Sequence, residues 1–283
     1  MLKAYLFGAG GGGERLFELV REQFQIVGIV DNDEKRWGTK FRHLTIGEPE
    51  KCLVQKNYDV IVITSAPGRD SIKKQLCGYG IAEKNIITSF IDQPLGSRRI
   101  FLQSLSRLMK DIDREIAVAE AGVFQGDFAQ YINLYFPERR LYLFDTFEGF
   151  HAKDIALERS NGYSMANKAD YNNTSVELVR EKMPYPEQCI FKVGYFPETA
   201  WGGVNETFCF ANLDLDLYHP TLEGLRWFGE RMVMGGVILI HDYFADNFRG
   251  VKQAVDEFME NRDKKNLHLM PIGDGISIAV CGF

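Results

Sequence analysis

Three features are scarce or missing in this sequence, and each absence narrows the class of protein. The five cysteines among 283 residues are scattered and form no CxxC pair, which argues against a disulfide framework or a zinc knuckle. No apolar run reaches the roughly 18 residues of a membrane-spanning helix, and the N-terminus has no signal-peptide pattern. We therefore expect a cytoplasmic protein with reduced thiols and no membrane span.

An excess of positive charge is missing as well. Lysine and arginine total 33 against 39 aspartates and glutamates, which gives a formal net charge of −6. Nucleic-acid binding needs a basic face, so nucleic acid is not the expected partner. We expect a small-molecule substrate instead, and the sequence leaves homo-oligomer formation open.

Apolar strands and amphipathic helices alternate along the chain in two successive series. The first series has predicted strands at residues 3–8, 25–33, 58–68 and 85–90. The second has predicted strands at residues 116–123, 140–147, 189–196, 207–217, 235–243 and 275–283. Such alternation predicts mostly parallel sheets flanked by helices, and hence two Rossmann-like α/β domains.

The stretch between the two series, residues 92–115, predicts a connection rather than a third domain. Its first part, DQPLGSRR at residues 92–99, combines proline, glycine and charged residues and predicts a linker. Residues 100–116 then have the pattern of one amphipathic helix. We therefore expect a small nucleotide-binding-type domain at residues 1–91 and a larger domain at residues 116–283.

The first glycine turn carries Gly8, Gly10 and Gly13 in GxGxxG spacing, and Asp31 ends the next predicted strand. A dinucleotide site uses such glycines to bring a pyrophosphate close to a helix N-terminus, and the acid to bind ribose hydroxyls. The same small residues also let a helix pack closely on a sheet without any ligand. The sequence leaves both interpretations open.

The second glycine turn, in VAEAGVFQGDFA, has a different set of acids around it. Glu120 ends the predicted strand, Gly122 and Gly126 form the bend, and Asp127 begins the next helix. Asp145 ends the following strand, in LYLFDTF. S-adenosylmethionine (SAM) has a cationic amino-acid end and a ribose diol but no pyrophosphate, so acids at two adjacent strand ends suit it. Acids also stabilise a helix N-terminus, but the pair of strand ends favours a SAM site.

Two further strands end in acids and an imidazole. Asp214 and Asp216 lie two residues apart and would share one face of a strand, and His241 and Asp242 end another strand. Because ligands bind at the carboxyl edge of open α/β sheets, these four residues are candidate catalytic residues. Carboxylates brought together there repel unless a hard divalent cation holds them, so Asp214, His241 and Asp242 are candidate metal ligands.

These motifs, with VGYFPET, LDLDLYHPTLEGL and GVKQAVDEF, resemble the macrocin O-methyltransferase family from about Ile116 to the C-terminus. The resemblance implies a class I SAM-dependent methyltransferase domain that acts on a hydroxyl of a sugar or of a glycosylated natural product. It implies magnesium at Asp214 and Asp242, although His241 stands where members tend to have an acid, and imidazole is a poor magnesium ligand. We assign the SAM site to Glu120, Gly122, Val123, Gly126, Asp127, Asp145, Thr146, Phe147 and Phe196.

The N-terminal third resembles the small nucleotide- or CoA-binding-like domains of sugar-modifying enzymes. The implied reaction of the larger domain is direct methyl transfer, which requires alignment of the hydroxyl and removal of its proton. His241 and His219 are both candidates for the proton acceptor. The polar segment at residues 151–175 predicts either a mobile lid over the acceptor or a disordered surface loop.

Two functions of other classes stay open at this point. One is an NAD-dependent oxidoreductase module in the N-terminal half, although no Tyr–Lys pair or cysteine stands where hydride chemistry would use it. The other is a non-catalytic protein that binds a nucleotide or SAM. Intact acids at Asp214 and Asp242 argue against this second alternative.

Overall fold

The computed structural model describes residues 1–66, 68–261 and 266–283 and divides the chain into two compact units, Met1–Leu95 and Gly96–Phe283. Each unit contains a mostly parallel sheet with helices, as the alternation of strands and helices predicts. None of the described helices is long and apolar enough to cross a membrane. The independent folding of residues 1–91 and 116–283 stays a prediction.

The first unit contains a six-stranded sheet in the order β3-β4-β2-β1-β5-β6. The pairs β1–β2, β1–β5, β2–β4 and β5–β6 are parallel, and the two-residue strand β3 is antiparallel to β4. The predicted strands correspond to β1, β2, β5 and β6. The elements are β1 (Lys3–Phe7), α1 (Gly11–Gln23), β2 (Gln25–Val30), β3 (Lys40–Phe41), β4 (Leu44–Gly47), α2 (Pro49–Leu53), β5 (Val60–Ile63), α3 (Arg69–Gly78) and β6 (Ile86–Ile87).

The second unit contains a seven-stranded sheet in the order β12-β13-β11-β10-β7-β8-β9, preceded by a helix that begins before the division. The pairs within β11-β10-β7-β8-β9 are parallel, and β13 is antiparallel to both of its neighbours. The elements are α4 (Ser89–Leu108), β7 (Ala117–Ala121), α5 (Ala129–Tyr135), β8 (Leu141–Asp145), α6 (Ala152–Asn161), α7 (Val176–Lys182), β9 (Cys189–Val193), α8 (Glu198–Trp201), β10 (Phe208–Leu213), α9 (Tyr218–Gly229), β11 (Met232–Ile240), α10 (Arg249–Asn261), β12 (His268–Pro271) and β13 (Ile278–Cys281).

Apolar cores cover both faces of the second sheet, and the alternation of side chains along β7 shows how. Ala117, Ala119 and Ala121 pack in an aromatic-rich core with residues of α9 and α10, whereas Val118 packs in the opposite core with residues of α4 and α5. Glu120 shares the parity of Val118, so the sheet directs its carboxyl towards the α4 side. Burial on both faces is the reason these strands read as continuous apolar runs.

The division between the two units, at Leu95 and Gly96, falls inside the predicted linker at residues 92–99, but this segment is helical, because α4 runs through it from Ser89 to Leu108. Pro94 removes one hydrogen bond from the helix, but the fixed φ of proline is itself helical. Further along, Leu102, Leu105 and Met109 form a buried stripe at helical spacing. The burial of this stripe outweighs the local proline and glycine signals.

The connection from α4 to β7 is held by the buried guanidinium of Arg139. Its two terminal nitrogens donate hydrogen bonds of 2.5 to 3.2 Å to four carbonyls that follow the helix, those of Met109, Ile112, Asp113 and Ile116. The carbonyls of Met109 and Asp113 also accept the amides of Ile112 and Ile116, so the guanidinium adds to the backbone bonds of this connection. Arg139 thereby fixes the point at which β7 enters the sheet.

We expect Arg139→Lys to lower the free energy of unfolding by about 2 to 3 kcal/mol, since an ammonium group cannot reach four carbonyls in a fork. Its neighbour Arg140 is half-exposed and pairs with Glu206 at 3.1 Å, so Arg140→Lys should cost less than about 1 kcal/mol. Urea unfolding of both variants measures the difference. Equal losses would contradict the assigned role of Arg139.

Candidate active site at the carboxyl edge of the second sheet

Polar side chains gather where four adjacent strands of the second sheet end. Glu120 lies one residue before the end of β7, and Asp145 ends β8. Asp214 follows β10 directly, and His241 and Asp242 follow β11. These strands stand side by side in the order β11-β10-β7-β8, so their carboxyl ends form one continuous edge.

Glu120 is a carboxyl group in an almost fully buried position, with 1% of the residue exposed. Its Oε1 accepts a hydrogen bond of 2.8 Å from Nδ2 of Asn212, whereas Oε2 is buried and has no hydrogen-bond partner among the described residues. Burial, together with the negative charge of Asp214, raises the pKa of this carboxyl well above its usual value. Buried oxygen atoms normally accept a hydrogen bond, so Oε2 is available to a hydrogen-bond donor of a ligand.

The glycine turn after β7 is shaped by contacts with the protein itself. Gly122 has φ +84°, and a Cβ built there would lie 1.9 Å from the carbonyl oxygen of Asp214. The amide of Asp214 in turn donates to the carbonyl of Ala121 at 2.8 Å. Gly126 has φ +77° and faces Val179 of α7. Glycine at 122 is therefore what lets β7 and the segment after β10 approach each other.

Asp145 ties the end of β8 to that glycine turn. Its Oδ2 accepts the backbone amides of Val123 and Phe124 at 2.7 and 2.8 Å, and Oδ1 accepts the amide of Phe147 at 2.7 Å. A carboxylate has about four acceptor positions, so three of them are used and one on Oδ1 is left. Asp145 both fixes the turn and keeps room for one further donor.

The other residues assigned to the SAM site have contacts within the protein. Asp127 accepts from Nζ of Lys182 at 2.7 Å on the surface, and Thr146 bonds the carbonyl of Gly149 at 2.8 Å within its own turn. Phe196 is buried in the aromatic core. The SAM contacts of Val123, Asp127, Thr146, Phe147 and Phe196 stay predictions.

Asp214, His241 and Asp242 form one cluster, in which their ligand atoms lie within 4.8 Å of one another. Nδ1 of His241 is 3.0 Å from Oδ1 of Asp214 and 2.7 Å from Oδ2 of Asp242. Burial opposes protonation of the imidazole, but the two carboxylates outweigh it and raise the pKa of His241 to about 9. Burial likewise opposes ionisation of Asp214, but His241 and Arg98 lower the pKa of its carboxyl.

Asp216 is not part of this cluster. The strand predicted at residues 207–217 ends at Leu213, so Asp214 and Asp216 do not share a strand face as expected. Asp216 has φ +59° in the loop before α9, where the two-residue alternation of a strand no longer applies. The catalytic role of Asp216 stays a prediction, because Asp216 does not belong to the cluster of the other three residues.

Arg98 of α4 belongs to the site and is absent from the set of residues predicted from the sequence. Its guanidinium is buried and lies 3.2 Å from Oδ1 of Asn212, 3.3 Å from Oδ2 of Asp214, and over the ring of Phe128 at 4.1 Å. The spacing 98, 102, 105, 109 places Arg98 on the apolar stripe of α4. An arginine on a buried stripe is the sequence signal that identifies it.

The segment at residues 151–175 packs against the site rather than forming a disordered loop, so that alternative is wrong. Its first part is α6, and Oε1 of the buried Glu158 accepts the amide of Tyr218 at 2.8 Å. Its last part lies on the glycine turn, where Thr174 bonds the carbonyl of Phe124 and Tyr171 packs on the ring of Phe124 at 5.2 Å. The lid stays a prediction.

In the first unit, Asp31 uses its carboxylate as Asp145 does. Its Oδ2 accepts the amide of Ala9 in the glycine turn at 2.6 Å, and Oδ1 accepts the amide of Asp33 at 2.8 Å. A Cβ on Gly13 would meet the carbonyl of Gly8 at 2.3 Å, so close packing accounts for these two glycines. The space beside Gly10 is open. The predicted nucleotide site at Gly8, Gly10, Gly13 and Asp31 stays a prediction.

Comparison with known proteins identifies the class of the second unit and then its family. The O-methyltransferase NovP has a TM-score of 0.51 to this structure at 22% identity, over 65% of this chain and 79% of that one. The calicheamicin methyltransferase CalS11 has a TM-score of 0.47 at 17% identity, over 77% and 86%. The O-methyltransferase TomG of Streptomyces achromogenes, solved with SAM, has a TM-score of 0.41 at 12% identity, over 75% of this chain and 96% of that one. The fold is that of a class I SAM-dependent methyltransferase.

The sequence model of the macrocin-O-methyltransferase (TylF) family matches residues 94–272, more than half of the chain. The chain therefore belongs to that family and is a SAM-dependent methyltransferase, as the sequence motifs predict. A second family, described as C2185-like N-terminal, matches residues 1–87. A search of curated proteins found no match.

We expect Gly122→Ala to lower the free energy of unfolding by at least about 3 kcal/mol, from backbone strain and overlap with the Asp214 carbonyl. Gly273 has the same φ of +84° with open space around it, so Gly273→Ala should cost only about 1 to 2 kcal/mol. Urea unfolding of the pair separates overlap from strain. A Gly122→Ala loss no larger than that of Gly273→Ala would contradict the close approach.

We expect Glu120 to make the SAM-free protein less stable as the pH rises. Because the pKa of this carboxyl is higher in the folded than in the unfolded chain, its contribution is present at low pH and is lost through the folded pKa. The advantage of Glu120→Gln over the wild type in Tm should therefore grow from about pH 5 to about pH 9. The exposed Glu115→Gln is the control. A pH-independent difference would contradict the raised pKa.

Proposed function

We propose that this protein transfers the methyl group of SAM to a hydroxyl group of a sugar-containing small molecule. The family supports methyl transfer to oxygen, and the sequence motifs support a sugar acceptor. One observation carries the proposal at the level of the site: Glu120, Asp145, Asp214 and Asp242 stand at the ends of four adjacent parallel strands. Cofactor and acceptor sites of open α/β sheets lie at this edge.

The cofactor fits beside the ends of β7 and β8. SAM carries an ammonium group, and the unmet Oε2 of Glu120 is the buried acceptor at this place. The remaining acceptor position of Asp145 can take a ribose hydroxyl, one strand away. Gly122 and Gly126 act indirectly, because they give the turn the shape on which both contacts depend. The role of Asp145 therefore combines fixing the turn with binding the ribose.

The cluster of Asp214, His241 and Asp242 fits a divalent cation. Two carboxylate oxygens and one imidazole nitrogen, from the ends of two adjacent strands, lie within 4.8 Å of one another. One ion can contact all three atoms at this separation. Carboxylates suit magnesium or manganese, whereas imidazole is a more usual ligand of manganese, iron or zinc. Asp214 and Asp242 would hold the ion, with His241 as a third ligand. The ion would supply Lewis acidity that lowers the pKa of the acceptor hydroxyl.

A methyl-transfer assay with radiolabelled SAM tests the proposal. The acceptors are a panel of nucleotide-linked hexoses and 6-deoxyhexoses, with S-adenosylhomocysteine formation and acceptor mass as the two readouts. We expect transfer to at least one acceptor, loss of transfer in EDTA, and recovery with Mg²⁺ or Mn²⁺. Asp242→Asn should lose the transfer that Mg²⁺ or Mn²⁺ restores. The exposed Asp246→Asn, in the same loop, should behave as the wild type.

Manganese titration followed by electron paramagnetic resonance gives a readout that is independent of activity. Wild-type protein should bind one Mn²⁺ and Asp214→Asn should bind it weakly. If the wild type keeps full turnover in EDTA while His241→Gln is inactive, the cation proposal is wrong, and metal-free catalysis at the His241 imidazole takes its place. No transfer to any acceptor, from a protein that binds SAM, would overturn the sugar acceptor.

A further inference from the structure

A second cluster of polar side chains lies at the same edge on the α9 side of the sheet. At its centre is Asp154 of α6, with 4% of the residue exposed. Its Oδ1 accepts the hydroxyl of Tyr195 at 3.0 Å and lies 3.3 Å from Nδ1 of His219. Nδ1 of His219 is also 3.2 Å from the hydroxyl of Tyr195, and the ring of His151 packs on Tyr195 at 4.6 Å.

The position of this cluster follows from the backbone. Tyr195 comes after Gly194, whose amide donates to the carbonyl of Asp145 at the end of β8 at 2.9 Å. His219 lies in the first turn of α9, after the short loop that begins with Asp214 at the end of β10. In the sheet, β7 stands between β8 and β10. Tyr195 and His219 therefore come from chain segments on either side of β7 in the strand order and meet on the α9 side of the carboxyl edge.

The hydrogen bonds of the cluster select one tautomer of His219. The Tyr195 proton is directed to Asp154, so both oxygens near Nδ1 of His219 are acceptors. Nδ1 must then carry the proton of the neutral ring, which leaves the lone pair on Nε2. The side chain of His219 is 43% exposed, and none of the described residues forms a hydrogen bond with Nε2. A buried carboxylate on Nδ1 is the usual means of orienting an imidazole base.

We propose that Nε2 of His219 accepts the proton of the acceptor hydroxyl, with Asp154 and Tyr195 as positioning residues. The hydroxyl oxygen forms a bond to the methyl carbon, the carbon–sulfur bond breaks with its electron pair kept on sulfur, and the hydroxyl proton passes to Nε2. The products are the methyl ether, S-adenosylhomocysteine and protonated His219. This inference rests on the proposed function.

His219 suits this step better than His241 does. Nδ1 of His241 lies between two carboxylates, and its side chain is only 12% exposed. The titratable groups around the His219 cluster are His151, which precedes α6, Asp154 of α6, Glu198 of α8 and Glu223 of α9.

Kinetics of the full-length protein with an acceptor found in the panel test the inference. We expect His219→Gln to lower kcat about 100-fold or more, with the Kd for SAM unchanged. Added imidazole should restore part of kcat in His219→Gly. Asp154→Asn should also lower kcat, and the low-pH limb of the kcat/KM profile should disappear in His219→Gln. His268→Gln, on the exposed strand β12, should match the wild type.

Nitrogen-15 spectra of histidine-labelled protein give a readout without acceptor. The neutral ring of His219 should carry its proton on Nδ1 in the wild type, and Asp154→Asn should mix the tautomers. A proton on Nε2, or turnover of His219→Gln within threefold of the wild type, would overturn the inference while the methyltransferase proposal stands. A wild type that binds SAM but methylates no acceptor of the panel would overturn the proposed sugar acceptor and, with it, the role of His219.

Discussion

The close approach of the chain after β7 to the chain after β10 is the constraint on which the site depends. The amide of Asp214 bonds the carbonyl of Ala121, and the missing side chain of Gly122 leaves room for the Asp214 carbonyl. The parallel register sets Glu120 of β7 opposite Asn212 of β10, so Asp214 follows two residues further along the adjacent strand.

Charge is the second constraint, because the edge concentrates acids in a largely buried place. Arg98 reaches Asp214 from α4, and His241 stands between Asp214 and Asp242. Among the described residues, the Asn212 amide is the hydrogen-bond donor to Glu120, and burial together with the charge of Asp214 raises the pKa of this carboxyl. The two positive groups that we propose for this site, the SAM ammonium group and a divalent cation, would offset this negative charge.

Much of the fold could be predicted from the sequence, since buried parallel strands are continuous apolar runs that end in acids or glycines. Glu120, Asp145, Asp214 and Asp242 were placed at strand ends on that basis. Arg98 could not be predicted as a site residue, because Pro94 and Gly96 indicate a linker where the structure has α4. Side-chain partners far apart in sequence, such as Asp154 of α6 with His219 of α9, could not be predicted because they depend on how these two helices pack.

Asp31 in the first unit and Asp145 in the second hold their glycine turns in the same way, by accepting the amides of the turn. The turns differ in the acid that precedes them, because only β7 carries a buried carboxyl before its glycines.

Isothermal titration of the intact protein with SAM, NAD and UDP-glucose, one at a time, tests the central claim most directly. We predict one SAM site per chain, abolished by Glu120→Ala and retained in Asp31→Ala. Saturable NAD binding without SAM binding would contradict the account.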